Sequence, residues 1–388
     1  MTTHQPCPRR RYESLDGLRG VAALIVVLCH LALIDPAVAS YLVDGQEQGL
    51  DAIRRVLLQS PANVFLAGEE AVYVFFVLSG FVLAIGPARG SILRWRVYYP
   101  RRLVRLYVPS IAALFLALGT TLIVPRTVSP MQSVWINQHA EGGHGLQEAL
   151  LGSTLMIDAE ALNTPLWSLQ LEVIFSILLP LYLFVARRTP TNLALPSILA
   201  LAALSGIGMA LEIRVLMYLP VFAVGVLLAY GANQLSEIAS ETTRAQWMLV
   251  SLAALLLITS GATARLVPNS ESAAPALLMA TIVGAAMSVY IAAWSPSAAR
   301  VLTLRPVRWL GLVSFSLYLV HEPIIVALAF VSHGQFPMWL IYSIGVTVSL
   351  AVAQLFYLVV EKPSHHLSRM IGGKKAARPG EAIRADTD

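Results

Sequence analysis

Apolar residues in this chain come in long unbroken runs rather than in the stripes of a water-soluble fold. A helix needs about twenty apolar residues to cross a hydrocarbon core. Windows of that kind fall at roughly 15–34, 71–88, 104–124, 166–187, 192–211, 214–232, 246–263, 275–294, 309–330 and 339–360. The pattern predicts an all-α, polytopic membrane helix bundle of about ten transmembrane helices. The segment 146–158 is too short to span and reads as an interfacial or re-entrant helix. Residues 35–70 form a loop with some helical pattern (LDAIRRVLLQ), and 125–165 form the longest loop. The expected organisation is a polar N-terminal segment (1–13), a membrane domain (14–362) and a basic, disordered tail (363–388). No soluble domain is expected at either end, and the first window is expected to stay as an uncleaved span.

Composition sharpens this. Of 388 residues, 57% are hydrophobic and 13% charged, against about 25% charged in soluble domains. The net charge of +5 suggests a nucleic-acid partner less than a membrane orientation. If the N-terminus is cytoplasmic and ten spans alternate, 22 of the 27 Lys and Arg fall inside and five outside, the bias of the positive-inside rule. Both termini are then cytoplasmic, in a multi-pass protein of the plasma (inner) membrane. Cys7 and Cys29 are the only cysteines, which excludes a disulfide frame or a cysteine metal site. Cys29 adjoins His30, but neighbouring helix positions point about 100° apart, which argues against a Cys–His dyad. No internal repeat is visible, a weak argument against inverted-repeat transporters.

Ionisable groups inside spans are costly and usually functional. In the first window, Arg19 and His30 are eleven residues apart. Eleven steps of about 100° return to within about 20° of the start, and the rise separates them by about 16 Å along one helix face. Alone, Arg19 could snorkel and His30 could be a packing residue; together they suggest a cation near one membrane surface and an imidazole deeper in. In the second window, Ser79-Gly80 allows close approach of a helix or a ligand, and Glu69 and Glu70 suit a helix start. Next, SILRWRVYYPRRLVRLYVP sets arginines among Trp95, Tyr98, Tyr99 and Tyr107. It reads as a membrane anchor or as a phosphate-binding cluster, with Arg102 and Arg105 neighbours at i, i+3. In LWSLQLE, Ser168 and Glu172 share a face, and the buried carboxylate needs a partner such as a first-span histidine or arginine; Trp167 reads as an interface anchor. In the ninth window Ser314, Tyr318 and His321 line one face, followed by Glu322 and the kink-forming Pro323. Glu361 reads as solvated beside Lys362 or as functional. His139, Glu141, Gly142, Gly143 and His144 read as a solvated loop, too loosely spaced for a metal site.

Taken in order, DGLRG with His30, FFVLSGF, RRLVRLYVP, LWSLQLE and SFSLYLVHEP resemble the acyltransferase 3 family of bacterial membrane O-acyltransferases. The resemblance covers residues 14 to 365. It implies transfer of an acyl group, acetyl being the simplest, from acyl-CoA as co-substrate to a hydroxyl of a sugar or glycoconjugate. No bound cofactor or metal is implied. His30 and Arg19 match the family's essential first-span pair, Arg102 and Arg105 its arginines after the second span, and Ser168 and Glu172 its WSL motif. On this reading Arg19, His30, Ser168 and Glu172 are catalytic, with Glu172 orienting the His30 imidazole, which acts as general base or takes the acyl group. Arg102, Arg105, Ser79 and Gly80 hold the acyl-CoA. Glu70, Trp167, Tyr318 and His321 contact the acceptor. Tyr73 stands where many members carry an acidic residue, and Glu70 one turn earlier is the candidate replacement. Many members add an extracytoplasmic hydrolase-like domain; this chain is expected to act alone, as a homo-oligomer, or with a separate partner. A proton-coupled carrier or flippase is the rival reading of buried Arg, His and Glu.

Overall fold

A computed structural model describes residues 13–140, 145–157, 160–261, 273–332 and 334–371. Among them all regular structure is helical, and each of the ten apolar windows falls on a helix. We number these α1 (Glu13–Ala32), α2 (Gly68–Ala88), α3 (Trp95–Ile123), α4 (Leu166–Arg188), α5 (Ala194–Ala210), α6 (Arg214–Tyr230), α7 (Arg244–Ile258), α8 (Ala274–Trp294), α9 (Arg305–Ser332) and α10 (Met338–Phe356). Seven are long and apolar enough to cross a membrane, α10 being extended to Met370, and an eighth span results if α6 is joined to Ala232–Glu241 across a 68° bend. The chain is thus a multi-pass membrane protein. The expected count of ten is reduced because α5 and α7 have only 17 and 15 residues, about 25 and 22 Å at 1.5 Å per residue.

Helix α9 is the central element: 72% of its apolar window is buried inside the bundle, against 22% for α10. It packs on α1, α3 and α10, while α2 packs on α6, α1 and α8. Small residues set these contacts. A side chain at Gly20 would overlap the backbone of Leu310 and Gly311, and one at Gly80 would overlap the Phe222 carbonyl. So α1 lies against α9, and α2 against α6, at backbone distance.

Two loop expectations hold: Ala52–Gln59 and Leu146–Gly152 are short helices. The tail is corrected, because its first residues form the helix Lys362–Met370. A π-helical turn, Tyr357–Glu361, joins it to α10. Arg101 Nε donates to the Ile371 carbonyl at 2.9 Å, fixing this helix to the start of α3. Residues 1–12, including Cys7, and 372–388 lie outside the described residues, as do Glu141, Gly142, Gly143 and His144.

Candidate active site

The site has two halves. At the end of the bundle where α1 and α9 begin, a cavity of about 730 Å³ runs inward between α1, α2, α3, α4 and α9. Its walls carry Arg19, Arg102, Arg105, Arg305, Arg308 and Arg369, with Glu13, Asp16, Glu172 and Glu361 as the carboxylates. Some of this charge is internally compensated. Arg102 pairs with Glu172, and its Nε donates to Ser176 Oγ at 3.2 Å. Ser79 Oγ donates to the same Glu172 oxygen at 2.8 Å. Arg308 faces Glu13 at 3.6 Å. Six guanidinium groups against four carboxylates leave the cavity cationic, and guanidinium is the side chain suited to bidentate phosphate binding. Its inner end is closed by Phe75, Ser168 and Tyr318. The Ser168 and Tyr318 oxygens are 2.8 Å apart, and both hydroxyls reach the Pro165 carbonyl, at 2.9 and 3.1 Å.

One turn further along α9 lies the second half. The rings of Tyr318 and His321 have centroids 6.0 Å apart. His321 Nδ1 lies 3.0 Å from the Leu317 carbonyl, which only accepts, so this nitrogen carries the proton. His321 Nε2 is then an acceptor for His30 Nδ1–H at 2.9 Å. That assignment leaves the lone pair of His30 on Nε2. His30 Nδ1 also faces Glu322 Oε2 at 3.5 Å. The other oxygen, Glu322 Oε1, accepts the Thr164 backbone N–H at 2.8 Å and faces His139 Nε2 at 3.4 Å. Glu322 is 1% exposed and His321 fully buried, whereas the His30 side chain keeps 17% exposure. His30, and His139 at 13%, are therefore the partly accessible members of the cluster.

Proline makes this local geometry. Pro323 lacks the N–H that would bond the Leu319 carbonyl four residues back. Asn163 Nδ2 donates to that carbonyl instead, at 2.8 Å. The adjacent Thr164 N–H reaches Glu322, so one missing backbone donor within a continuous helix ties the segment before α4 to α9.

The placements correct several expectations. Glu172 does not meet His30; its partners are Arg102 and Ser79, and the carboxylate facing His30 is Glu322. Arg19 lines the cavity, and His30 belongs to the second half. Gly80 packs on α6 and is not part of the cavity wall, while Ser79, Arg102 and Arg105 are. Tyr318 lines the cavity, and His321 holds His30. Glu70 sits in the first turn of α2 and Trp167 packs against Tyr218, rings tilted by 47°, with Arg214 over its ring; neither lines the cavity. Cys29 abuts Gly68, away from the histidine pair. His139 is not a solvated loop residue: it caps Val134–Gln138 and turns its ring to Glu322. Glu361 is 4% exposed and accepts from Ser316 Oγ at 2.5 Å. Among the described residues no group of three or more His, Cys, Asp and Glu is arranged to hold a metal.

The chain is a multi-pass helical membrane protein whose cationic cavity lies beside a buried histidine–carboxylate cluster. The acyltransferase-domain family matches residues 12–358, and the chain belongs to this acyltransferase 3 family. It is 29% identical over 191 residues to Acyltransferase MdmB of Streptomyces mycarofaciens, a match covering 47% of this chain and 42% of that protein's length. No solved structure matches.

Proposed function

We propose that the protein is an acyl-CoA-dependent O-acyltransferase of the plasma membrane, moving an acetyl group to a hydroxyl of a sugar or glycoconjugate. The observation that carries this reading is the adjacency of the two halves: the arginine cavity reaches Ser168 and Tyr318, one turn of α9 from the His321–His30 pair. In it, the phosphates of the donor meet Arg19, Arg105 and Arg305 at the cavity mouth, on the cytoplasmic side, and the thioester reaches the Ser168 and Tyr318 hydroxyls. The acceptor hydroxyl approaches His30 from the opposite end. His30 Nε2 takes its proton as the oxygen attacks the thioester carbonyl. The C–S bond breaks, and the thiolate of CoA takes up a proton on leaving. Glu322 stabilises the imidazolium that forms, the service a carboxylate performs for a catalytic histidine.

The test is transfer of labelled acetyl from acetyl-CoA by detergent-purified protein to glycosides extracted from cells lacking the gene. Labelled glycoside and free CoA are expected from wild type, and neither from His30→Ala. A carrier would leave the thioester intact, and full transfer by His30→Ala at normal protein level would overturn the role given to His30.

A further inference from the structure

The loop between α3 and α4 contributes a third histidine that the chemistry above does not use. His139 caps a five-residue helix outside the spans, and its Nδ1 lies 2.8 Å from the Trp135 carbonyl. A carbonyl oxygen only accepts, so this nitrogen carries a proton. Its Nε2 lies 3.4 Å from Glu322 Oε1. An ionised carboxylate also only accepts. A ring held between two acceptors satisfies both only with a proton on each nitrogen. Among the described residues, the charged and titratable groups facing His139 include Glu322 from α9, His30 from α1, whose ring shares Trp135 as a neighbour, and Arg126 from its own loop, which donates to the His139 carbonyl at 3.4 Å. Burial and the Arg126 charge oppose the cation; the hydrogen bond to Glu322 and its charge favour it and prevail, raising the His139 pKa above the ordinary histidine value.

We propose that His139 is a positioning residue: as an imidazolium it holds Glu322 ionised on its Oε1 side, so that Oε2 presents its charge to His30 Nδ1. Without it, Glu322 would be a carboxylate in the bundle interior with one backbone N–H as its remaining hydrogen-bond donor, a setting that favours the neutral acid. A neutral Glu322 would not stabilise the His30 cation formed when the acceptor hydroxyl gives up its proton. The loop therefore sets the charge state of the site, and the effect has a direction in pH. Deprotonating His139 removes the support, so turnover falls as pH rises through the raised value.

This rests on the acyl-transfer reading, and the test separates the two. In nanodiscs, ¹⁵N-histidine spectra of the full chain at about pH 8, well above the ordinary value of about 6.5, identify the His139 ring by its loss in His139→Gln. Both His139 nitrogens are expected to be protonated in wild type and the ring neutral in Glu322→Gln. In the acetyl-transfer assay, His139→Gln is expected to lower kcat about 10- to 100-fold, to leave KM for acetyl-CoA unchanged, and to abolish the basic limb of the pH profile. A neutral His139 ring in wild type, or a wild-type kcat and pH profile in His139→Gln, overturns the proposal. If wild type releases no CoA, the functional reading fails, and the spectra still decide the charge of His139.

Discussion

Of the carboxylates near the site, Glu172 and Glu322 are separated by their partners. Glu172 is bound by Arg102 and Ser79 in the wall of the cationic cavity. Glu322 lies between His30, His139 and the Thr164 N–H. In the proposed mechanism Glu172 thus shapes the donor-binding wall, and Glu322 supports the proton transfer. Glu172→Gln and Arg105→Ala are expected to raise KM for acetyl-CoA, by about 10-fold or more for Arg105→Ala, since a hydrogen bond to a charged group contributes about 1.5–3 kcal/mol. Glu322→Gln is expected to lower kcat by about 100-fold or more, the scale of general acid–base catalysis, with little change in KM. Steady-state kinetics with acetyl-CoA as varied substrate checks both, and a kcat effect confined to Glu172 would reverse the assignment. Most participants were legible in the sequence as residue types: ionisable groups inside apolar runs stand out. Their pairing was not. Arg19 and His30 share a helix face, yet the 16 Å or so between them places one in the cavity and one in the cluster. The carboxylate for His30 could have been found beside His321, because Glu322 is as deep in its helix as the histidine. His139 gave no such signal, since nothing in a polar loop indicates that it folds back onto α9.

Among the elements, the backbone donor missing at Pro323 organises the cluster. Asn163 replaces the missing backbone donor to Leu319, and it is fully buried. Asn163→Ala is expected to cost about 1 kcal/mol, the order of one buried hydrogen bond in a membrane bundle, and to lower the melting temperature by a few degrees. In a Pro323→Ala background the restored N–H can bond Leu319 itself, so the cost of Asn163→Ala should shrink. A double-mutant cycle by thermal melting checks this; equal costs in both backgrounds would show that Asn163 serves another purpose. At the α1–α9 contact, Gly20→Leu is expected to prevent recovery of monodisperse protein, because its side chain would overlap the backbone at Leu310 and Gly311. Size-exclusion chromatography reads that out. Helix positions were legible from hydropathy. The lengths of α5 and α7, and the helix that replaces the start of the expected tail, were not. Apolar windows mark where a chain prefers lipid or core, and they do not mark where tertiary packing ends a helix.

Across the whole molecule, the two ends of the bundle differ in chemistry. One carries the arginine cavity, and the other carries the histidine–carboxylate cluster and the α3–α4 loop. Six arginines line the cavity, a charge that suits an anionic ligand. In the proposed reaction, donor and acceptor meet at His30 from opposite ends. It is tested most directly in inverted membrane vesicles that expose the cytoplasmic face and retain native glycan acceptors inside. With labelled acetyl-CoA, which does not cross the bilayer, added outside, the account predicts label in lumenal glycans protected from added glycosidase, and none with His30→Ala. Label only in glycosides supplied on the same side as the acetyl-CoA would contradict it.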